Sequence, residues 1–450
     1  MALTSTNPAT GEVLATITED TQELIDSKVR MSGIAFESWR NTSFQVRSKL
    51  MHSLSLSMRE RRHLLATLIT QEMGCPITQA QSEIEKCAQI IEFYADNSEG
   101  FLEDEIVTTN SKVIFQPLGT ILHIAPWNYP FLLALRPVIP AIMAGNTVLL
   151  KHASNVPQIS QTLQALFTDC GFPEGIFSSL MIGARSVAAV IAQPEVVMVT
   201  LIGSESAGAK VAAVAGTELK KTLMELGGSD PFIVFPDCDL ELTVKAAVTS
   251  RLRNAGQSCN AAKRFIVHRS IVEEFTSRLK AEFEKQVIGD PINPETTLGP
   301  IANESGLDDI LSQVRVSVEM GATIITGGNR IESSGYFMQP TILTNVGREM
   351  PVWKEETFGP VAAIRRFETV EEAINLANDN RYGLTASIWT QDKELASSLI
   401  GQIETGMVCV NQVARSDVKL PYGGVKKSGY GREFSHYGIK EFVNIKSVVV

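Results

Sequence analysis

The chain has 450 residues, of which 44% are hydrophobic and 20% are charged, as is typical of a folded globular protein. At this length we expect about three domains, because a single hydrophobic core does not serve so long a chain. The formal net charge of −10 argues against nucleic acid or an anionic membrane surface as the main partner.

Targeting signals and cysteine usage favour a protein of the cytoplasm. The N-terminus has neither the basic nor the apolar segment of a signal peptide, and no apolar run approaches the roughly 20 residues that span a bilayer. The six cysteines are scattered without a C-x-x-C pair, which indicates reduced thiols. We therefore expect a cytoplasmic protein without a membrane segment or a metal site.

The predicted elements change in character along the chain. Residues 20–97 carry apolar side chains at helical spacing, for example Leu50, Leu54 and Met58, and predict helices. From about residue 112, short apolar runs alternate with helical stretches. The predicted strands are Thr120–Ala125, Thr147–Lys151, Met198–Ile202 and Phe232–Phe235, and the predicted helices are Tyr129–Ala144, Gln158–Cys170, Ser206–Ala215 and Leu240–Arg251. This alternation predicts an α/β fold with a parallel, doubly wound sheet.

A second alternating set follows residue 260 and includes Arg264–His268, Val272–Gln286 and Val370–Asp379. The last fourteen residues, Tyr437–Val450, end in a run of three valines. An apolar tail of this kind would be an exposed sheet edge unless another segment covers it.

Two short blocks indicate covalent acyl chemistry. Met224–Gly228 places the carboxylate of Glu225 before two glycines, and Asn254–Cys259 places a thiol after a Gly-Gln pair. A cysteine nucleophile with a nearby carboxylate base is the equipment of covalent catalysis. For Cys259 alone, the alternative is a buried structural thiol, and for Glu225 it is a surface carboxylate that ends a strand.

These blocks resemble those of the aldehyde dehydrogenase superfamily, and other blocks extend the likeness over nearly the whole chain. The further matching blocks are Asn7–Gly11, Pro126–Pro130, Ile202–Gly208 and Glu355–Pro360. The resemblance implies a Rossmann-like cofactor domain in residues 1–98 and 118–227 and a second α/β catalytic domain in residues 228–434. It also implies a small β oligomerisation arm in residues 99–117 and 435–450, and therefore a homodimer or homotetramer.

The resemblance also implies catalytic roles. Cys259 would attack the aldehyde carbonyl, and Glu225 would activate the water that releases the acid. The Asn128 amide and the Cys259 backbone N–H would form the oxyanion hole. The alternative for Asn128 is a helix N-cap after a strand, and the two roles can coexist. The presence of Glu225 favours hydrolysis to a free carboxylic acid.

The cofactor implied by the resemblance is NADP, and NAD as well. The residues that match the cofactor site are Trp127, Lys151, Ser154, Gly203, Ser204, Gly208, Glu356 and Phe358. Glycines five apart at a strand–helix turn let the backbone approach a pyrophosphate, although many such turns look alike. A carboxylate at position 154 would repel a 2′-phosphate, whereas Lys151 with a serine hydroxyl can bind one.

The substrate residues implied by the resemblance bind an anion. Arg136 and Arg253 match arginines that bind the distal carboxylate in succinate semialdehyde dehydrogenases, Ser416 matches a serine of that site, and Arg415 could add a donor. For each arginine alone, a structural ion pair is the alternative. We expect oxidation of succinate semialdehyde to succinate. The alternatives are glutarate or malonate semialdehyde, a phosphorylated aldehyde, or a catalytically silent scaffold of the same fold.

Overall fold

The computed structural model describes residues 2–450, which form alternating helices and strands. The helices are α1 (Gln22–Trp39), α2 (Phe44–Glu60), α3 (Arg62–Met73), α4 (Ile77–Phe101), α5 (Pro130–Met143), α6 (Pro157–Asp169), α7 (Val187–Ala192), α8 (Glu205–Thr217), α9 (Leu240–Leu252), α10 (Val272–Glu284), α11 (Glu304–Glu319), α12 (Pro351–Lys354), α13 (Val370–Asn378), α14 (Lys393–Ile400) and α15 (Ser435–Lys440).

The strands build two large sheets and several small ones. They are β1 (Ala2–Thr6), β2 (Val13–Thr18), β3 (Glu105–Thr108), β4 (Ser111–Pro117), β5 (Thr120–Ile124), β6 (Thr147–Lys151), β7 (Phe177–Ser179), β8 (Val196–Ile202), β9 (Lys221–Glu225), β10 (Asp230–Val234), β11 (Ala262–His268), β12 (Thr323–Thr326), β13 (Thr341–Thr344), β14 (Val361–Phe367), β15 (Tyr382–Gly383), β16 (Thr385–Trp389), β17 (Met407–Val410), β18 (Val425–Lys426), β19 (Gly429–Tyr430) and β20 (Val443–Val449).

The first large sheet has the order β19–β9–β8–β5–β6–β7. Its strands are parallel except for the short edge strand β19, which pairs with β9 in the antiparallel sense. The strand order reverses direction next to β5, and in doubly wound sheets ligands bind at such a switch point. The core of this part also includes helices α2–α6, and the Trp39 side chain of α1 donates a hydrogen bond to the Ile142 carbonyl at 3.1 Å.

The second large sheet has the order β12–β13–β14–β11–β10–β16–β17 and is parallel except for β12. Its core includes the stacked rings of Phe232 and Trp389, whose centroids are 5.1 Å apart. The parallel, doubly wound α/β fold expected from the sequence is therefore confirmed, and it occurs twice in the chain.

The predicted elements agree closely with the observed ones. The strand Thr147–Lys151 is reproduced residue for residue, and helix α5 begins and ends one residue inside the predicted range. The largest difference among the first strands is at β8 and β10, which begin two residues earlier than predicted. No helix within residues 2–450 is long and apolar enough to cross a membrane.

A small antiparallel sheet, β20–β4–β3, extends from the first unit. The C-terminal strand β20 pairs with β4 along its whole length, so the valine-rich tail finds its partner strand within the same chain. The outer surface of this sheet still exposes Ile106, Val107, Ile445 and Val449, each more than half accessible. Helix α4 continues to Phe101, so the first residues of the expected arm segment 99–117 belong to a helix.

One buried amide links this small sheet to the body of the molecule. The Asn146 carbonyl oxygen accepts hydrogen bonds from the backbone N–H groups of Leu118 (2.7 Å) and Gly119 (3.0 Å). Its amide nitrogen donates to the carbonyls of Ala141 (3.0 Å) and Phe442 (2.9 Å). Four backbone groups from three parts of the chain therefore depend on one side chain.

We expect Asn146→Ala to lower the free energy of unfolding by about 2–4 kcal/mol, because it leaves buried backbone donors and acceptors without partners. Urea unfolding followed by tryptophan fluorescence measures this change. Asn41→Ala is the matched control, since Asn41 is exposed and makes a single hydrogen bond, to the Glu37 carbonyl. A loss below about 0.5 kcal/mol for Asn146→Ala, as for an ordinary surface substitution, would contradict this role.

Candidate active site

The three candidate catalytic residues line one cavity of about 270 Å³ between the two large sheets. Asn128 lies in the loop after β5, Glu225 ends β9, and Cys259 lies in the loop before β11. The loop after β8, with Gly203 and Ser204, lines the same cavity. The carboxyl ends of β5, β8 and β9 thus meet at one place. Cys259 reaches that place from the loop before the amino end of β11.

The loop before Cys259 has an unusual backbone. Asn254 and Ala255 both have φ of 52°, and Gly256 follows with φ of 75°. Left-handed geometry at consecutive non-glycine residues is strained and persists only where its surroundings hold it. A Cβ atom on Gly256 would lie 2.3 Å from the Gly359 carbonyl oxygen, so this position requires glycine.

Buried polar side chains hold this loop from behind. Arg251 donates to the carbonyls of Gly256 (2.5 Å) and Ala262 (3.0 Å). The Lys263 ammonium donates to the Cys259 carbonyl at 2.7 Å and the Ser258 carbonyl at 2.9 Å. These contacts fix the Cys259 backbone, and with it the direction of the backbone N–H proposed for the oxyanion hole.

The thiol of Cys259 is not activated by its protein surroundings alone. Burial raises its pKa to about 11, although the cations of Arg136 and Lys263 act in the opposite direction. A thiol with this pKa is almost entirely protonated at neutral pH. Deprotonation therefore requires a base or a further positive charge beside the sulfur.

Asn128 is held by the same loop. The side-chain amide nitrogen of Asn128 donates to the Gln257 backbone carbonyl at 3.0 Å. The Asn128 backbone carbonyl accepts from the Asn254 side-chain amide at 2.7 Å. The amide has a second N–H, which this contact leaves available. The N-cap alternative does not hold, because Glu83 accepts from the first N–H groups of helix α5, those of Phe131 (2.9 Å) and Leu132 (3.0 Å).

Glu225 forms a buried charged cluster with Arg136 and Glu433. The Arg136 Nη2 lies 3.2 Å from a Glu225 carboxylate oxygen, and its Nε donates to Glu433 at 2.5 Å. The guanidinium also lies over the rings of Tyr422 and Phe434. Burial and the neighbouring Glu433 raise the pKa of Glu225 well above its usual range, with Arg136 acting in the opposite direction.

This cluster gives Arg136 partners that the expected substrate role does not include, and that role stays a prediction. Its side chain is only 5% exposed, and two carboxylates already occupy Nε and Nη2. A guanidinium whose charge is so compensated does not offer the open fork that a substrate carboxylate requires. Only Nη1 has no hydrogen-bond partner within the described part of the chain, so Arg136 is first a partner of Glu225 and Glu433.

Arg253 differs from Arg136 in having no carboxylate partner among residues 2–450. Its Nε donates to the Tyr129 hydroxyl at 3.3 Å, and its guanidinium lies 5.7 Å from the centre of that ring. Tyr129 is the neighbour of Asn128, so Arg253 stands close to the catalytic loop. Ser416 is half-buried and accepts a hydrogen bond from Lys86 at 2.8 Å, whereas the Arg415 side chain is exposed.

The β8–α8 turn has the features of an anion site. The Ser204 hydroxyl accepts from the Ala207 N–H at 3.3 Å and so caps helix α8, whose N-terminus carries partial positive charge. A Cβ on Gly203 would meet only Leu201, at 3.4 Å. On Gly208 it would lie 2.5 Å from a Leu226 methyl group, so Gly208 allows close helix–strand packing, and its place in the cofactor site stays a prediction.

A second groove, of about 340 Å³, adjoins the same helix and is largely apolar. Lys151 lines it at the end of β6, and its ammonium makes no hydrogen bond or ion pair with any described residue. Burial lowers the pKa of Lys151, and Glu19 acts in the opposite direction. Ser154 is exposed three residues later. A lysine without an acceptor beside an apolar groove fits a ligand with a flat ring and hydroxyl or phosphate groups.

Glu356, Phe358 and Trp127 close the cavity beside Cys259. Glu356 accepts from the Gly228 N–H at 3.0 Å and lies 3.5 Å from the Lys263 ammonium. The rings of Trp127 and Phe358 meet edge to face with centroids 5.7 Å apart. No group of three or more His, Cys, Asp or Glu side chains that could bind a metal ion occurs between residues 2 and 450.

Comparison with known proteins identifies the family. A model described as "Aldehyde dehydrogenase family" matches residues 1–448. The chain belongs to the aldehyde dehydrogenase family. A protein of Synechocystis sp. named "Probable succinate-semialdehyde dehydrogenase (NADP(+))" is 44% identical over 100% of this chain and 99% of its own length.

Solved structures of family members have the same fold. The crystal structure of succinic semialdehyde dehydrogenase from Streptococcus pyogenes in complex with NADP+ covers 100% of both chains with a TM-score of 0.98 and 37% identity. That of an NAD-dependent aldehyde dehydrogenase from Sinorhizobium meliloti covers 100% of this chain and 91% of its own, with a TM-score of 0.97 and 33% identity. The expected fold class is therefore confirmed.

Several residues of the site were not predicted from the sequence. The supporting side chains that the fold brings to it are Glu83, Lys86, Arg251, Asn254, Gln257, Lys263 and Glu433. Asn254 and Gln257 lie within the Cys259 block, which was a usable signal. The others carry no local motif, because each acts on a backbone or side chain that is brought near only by folding.

From the raised pKa of Cys259 we predict how the rate of its alkylation depends on pH in the protein without cofactor. We expect its alkylation by iodoacetamide to rise about tenfold per pH unit between about pH 7 and 9, since the thiolate fraction increases in that way below the pKa. Mass spectrometry of the Cys259 peptide measures the rate, with Cys259→Ser as the control for site assignment. An unstructured peptide with one cysteine under the same conditions should begin to level off above about pH 8.5. A plateau for Cys259 below pH 8 would show an activated thiolate instead.

Proposed function

We propose that this chain oxidises succinate semialdehyde to succinate with NADP and also with NAD. The observation that carries the proposal is the joint lining of one cavity by Cys259, Glu225 and Asn128, with the unneutralised Arg253 beside Asn128. The name of the Synechocystis relative and the NADP+ complex of the Streptococcus pyogenes enzyme support the same substrate and cofactor. A silent scaffold would not need these three groups together.

The cofactor would lie across the β8–α8 turn. Lys151 and Ser154 would hold the adenosine end, the Ser204 turn and the start of α8 the pyrophosphate, and Glu356 the nicotinamide ribose. These groups fit such a ligand because Lys151 has no protein acceptor and the helix N-terminus is open at Gly203. When bound, NAD(P)+ supplies the hydride acceptor of the reaction.

The residues of this chain carry the covalent steps. Cys259 releases its thiol proton to solvent, and Sγ forms a bond to the aldehyde carbon while the C=O π electrons move to oxygen, giving a thiohemiacetal oxyanion. The second N–H of the Asn128 amide and the Cys259 N–H donate to that oxygen. After oxidation to the thioester, Glu225 takes a proton from water, whose oxygen attacks the carbonyl carbon and releases succinate and the thiol. The raised pKa of Glu225 suits a group that must accept that proton.

We also propose that the sheet β3–β4–β20 is an oligomerisation arm in a homodimer or homotetramer. The support is its exposed apolar side chains, including Ile106 and Val449, since clustered apolar side chains on a surface mark interaction sites. The expected division into cofactor domain, catalytic domain and arm stays a proposal, as does a location in the cytoplasm. Strand β19 joins the first sheet although it lies within the proposed catalytic segment 228–434.

Initial rates over a panel of aldehydes with both cofactors test the proposed reaction. We expect the highest kcat/KM for succinate semialdehyde over glutarate and malonate semialdehyde, a phosphorylated aldehyde and butanal. Arg253→Met should lower kcat/KM for the semialdehyde about ten- to hundredfold by removing a charge-assisted hydrogen bond, with little effect on butanal. A parent enzyme that prefers butanal would contradict the proposed substrate. Equal losses of kcat/KM on both substrates in Arg253→Met would show that Arg253 has a structural role and does not bind the substrate.

Ser154→Glu tests the cofactor assignment. The new carboxylate would face the 2′-phosphate, so we expect the KM for NADP to rise about ten- to hundredfold, which corresponds to about 1.4–2.8 kcal/mol of binding free energy. The KM for NAD should change little. Ser154→Ala is the control, since it removes the hydroxyl without adding charge. Unchanged use of both cofactors by Ser154→Glu would mean that position 154 does not face the adenosine ribose.

A further inference from the structure

Helix α4 carries two ionisable side chains on the face that packs against the segment following Asn128 and against the 411–420 loop. Glu83 and Lys86 are three residues apart and so are neighbours on the helix surface. Glu83 accepts from the N–H groups of Phe131 and Leu132, which open the helix that follows Asn128. This contact fixes α4 against the catalytic turn, and it therefore fixes the position from which Lys86 extends.

Lys86 has no carboxylate within ion-pair distance in the described part of the chain. Its ammonium donates to the Ser416 hydroxyl at 2.8 Å and to the Ser416 carbonyl at 3.2 Å, which leaves a third N–H without a partner. Cations surround it, since Arg253, Arg136 and Arg415 all act on it electrostatically. Burial and these cations lower the pKa of Lys86 to about 8, while the Cys87 thiol acts in the opposite direction.

The nearest carboxylate does not neutralise this group of cations. Burial raises the pKa of Glu83 to about 8, so this side chain is mostly protonated at neutral pH. One of its carboxylate oxygens is buried without a hydrogen bond. Lys86 and Arg253 are thus two half-buried cations that act on each other electrostatically, and neither has a carboxylate within ion-pair distance among the described residues. Like charges brought together in a partly buried place favour the binding of an anion.

We propose that Lys86, which sequence reasoning did not identify, binds the distal carboxylate of the substrate together with Arg253 and the Ser416 hydroxyl. This inference rests on the proposed function and names a specificity residue for it. The ammonium already holds Ser416, so it links the substrate carboxylate to the 411–420 loop. Arg136, whose charge Glu225 and Glu433 compensate, contributes less to binding the substrate than Lys86 does.

The decisive variants are Lys86→Met, which keeps the aliphatic stem, and Lys86→Arg, which keeps the charge. We expect Lys86→Met to lower kcat/KM for succinate semialdehyde about ten- to hundredfold, mainly through KM, and to leave butanal within about twofold. Lys86→Arg should recover most of the loss. Lys245→Met is the matched control, because Lys245 is exposed and pairs only with Glu241 on the surface of α9.

Binding of the product succinate, measured by tryptophan fluorescence, gives a readout independent of turnover. Its Kd should rise by a similar factor in Lys86→Met and not in Lys245→Met. If the parent enzyme shows no preference for the semialdehyde over butanal, the proposed function fails. If the parent shows this preference but Lys86→Met changes both substrates equally, or neither, only the assignment of Lys86 fails.

Discussion

The buried contact of Arg136 with Glu225 and Glu433 is the interaction on which the rest of the site depends. It joins the end of β9, the middle of α5 and a C-terminal segment at a point almost without solvent. Two carboxylates around one guanidinium leave excess negative charge in a medium that solvates it poorly, which is why burial raises the pKa of both acids. Removing Arg136 would leave two buried carboxylates without a counter-charge, a large destabilisation.

The same contact makes Glu225 suitable as a base. A carboxylate that ends a strand at the surface would have an ordinary pKa and would take a proton from water weakly. Here one oxygen is held by Arg136 and the other is buried without a hydrogen bond, so it can accept a proton or receive a water molecule. Burying Glu225 with one oxygen unpaired costs stability, but the same burial makes this carboxylate more basic at the place where a base is needed. The pKa of Cys259 is raised for the same reason, because its thiol is buried in the same cavity.

The sequence predicted those residues of the site that belong to short local motifs. The Glu225 and Asn128 blocks end apolar stretches, the Cys259 block lies in a small-residue loop, and folding brings all three to one cavity. It did not predict their partners. Glu433 lies 297 positions from Arg136, and an isolated Arg gives no sign of whether an acid or a substrate will compensate it. The family match assigned Arg136 to the substrate for that reason.

Gly208 and Asn128 also show that a local sequence pattern does not reveal partners from distant parts of the chain. Gly208 fits a phosphate-loop pattern, but the side chain that requires a glycine there is Leu226, eighteen positions away (226 − 208). Asn128 follows a strand and precedes a helix, as an N-cap would, yet Glu83 from α4 accepts the first N–H groups of that helix. Because Glu83 accepts these N–H groups, the Asn128 amide is not needed as a cap, and its second N–H is available for the oxyanion. The same helix extends Lys86 towards Ser416, so α4, which carries no catalytic motif, supports both ends of the proposed substrate site.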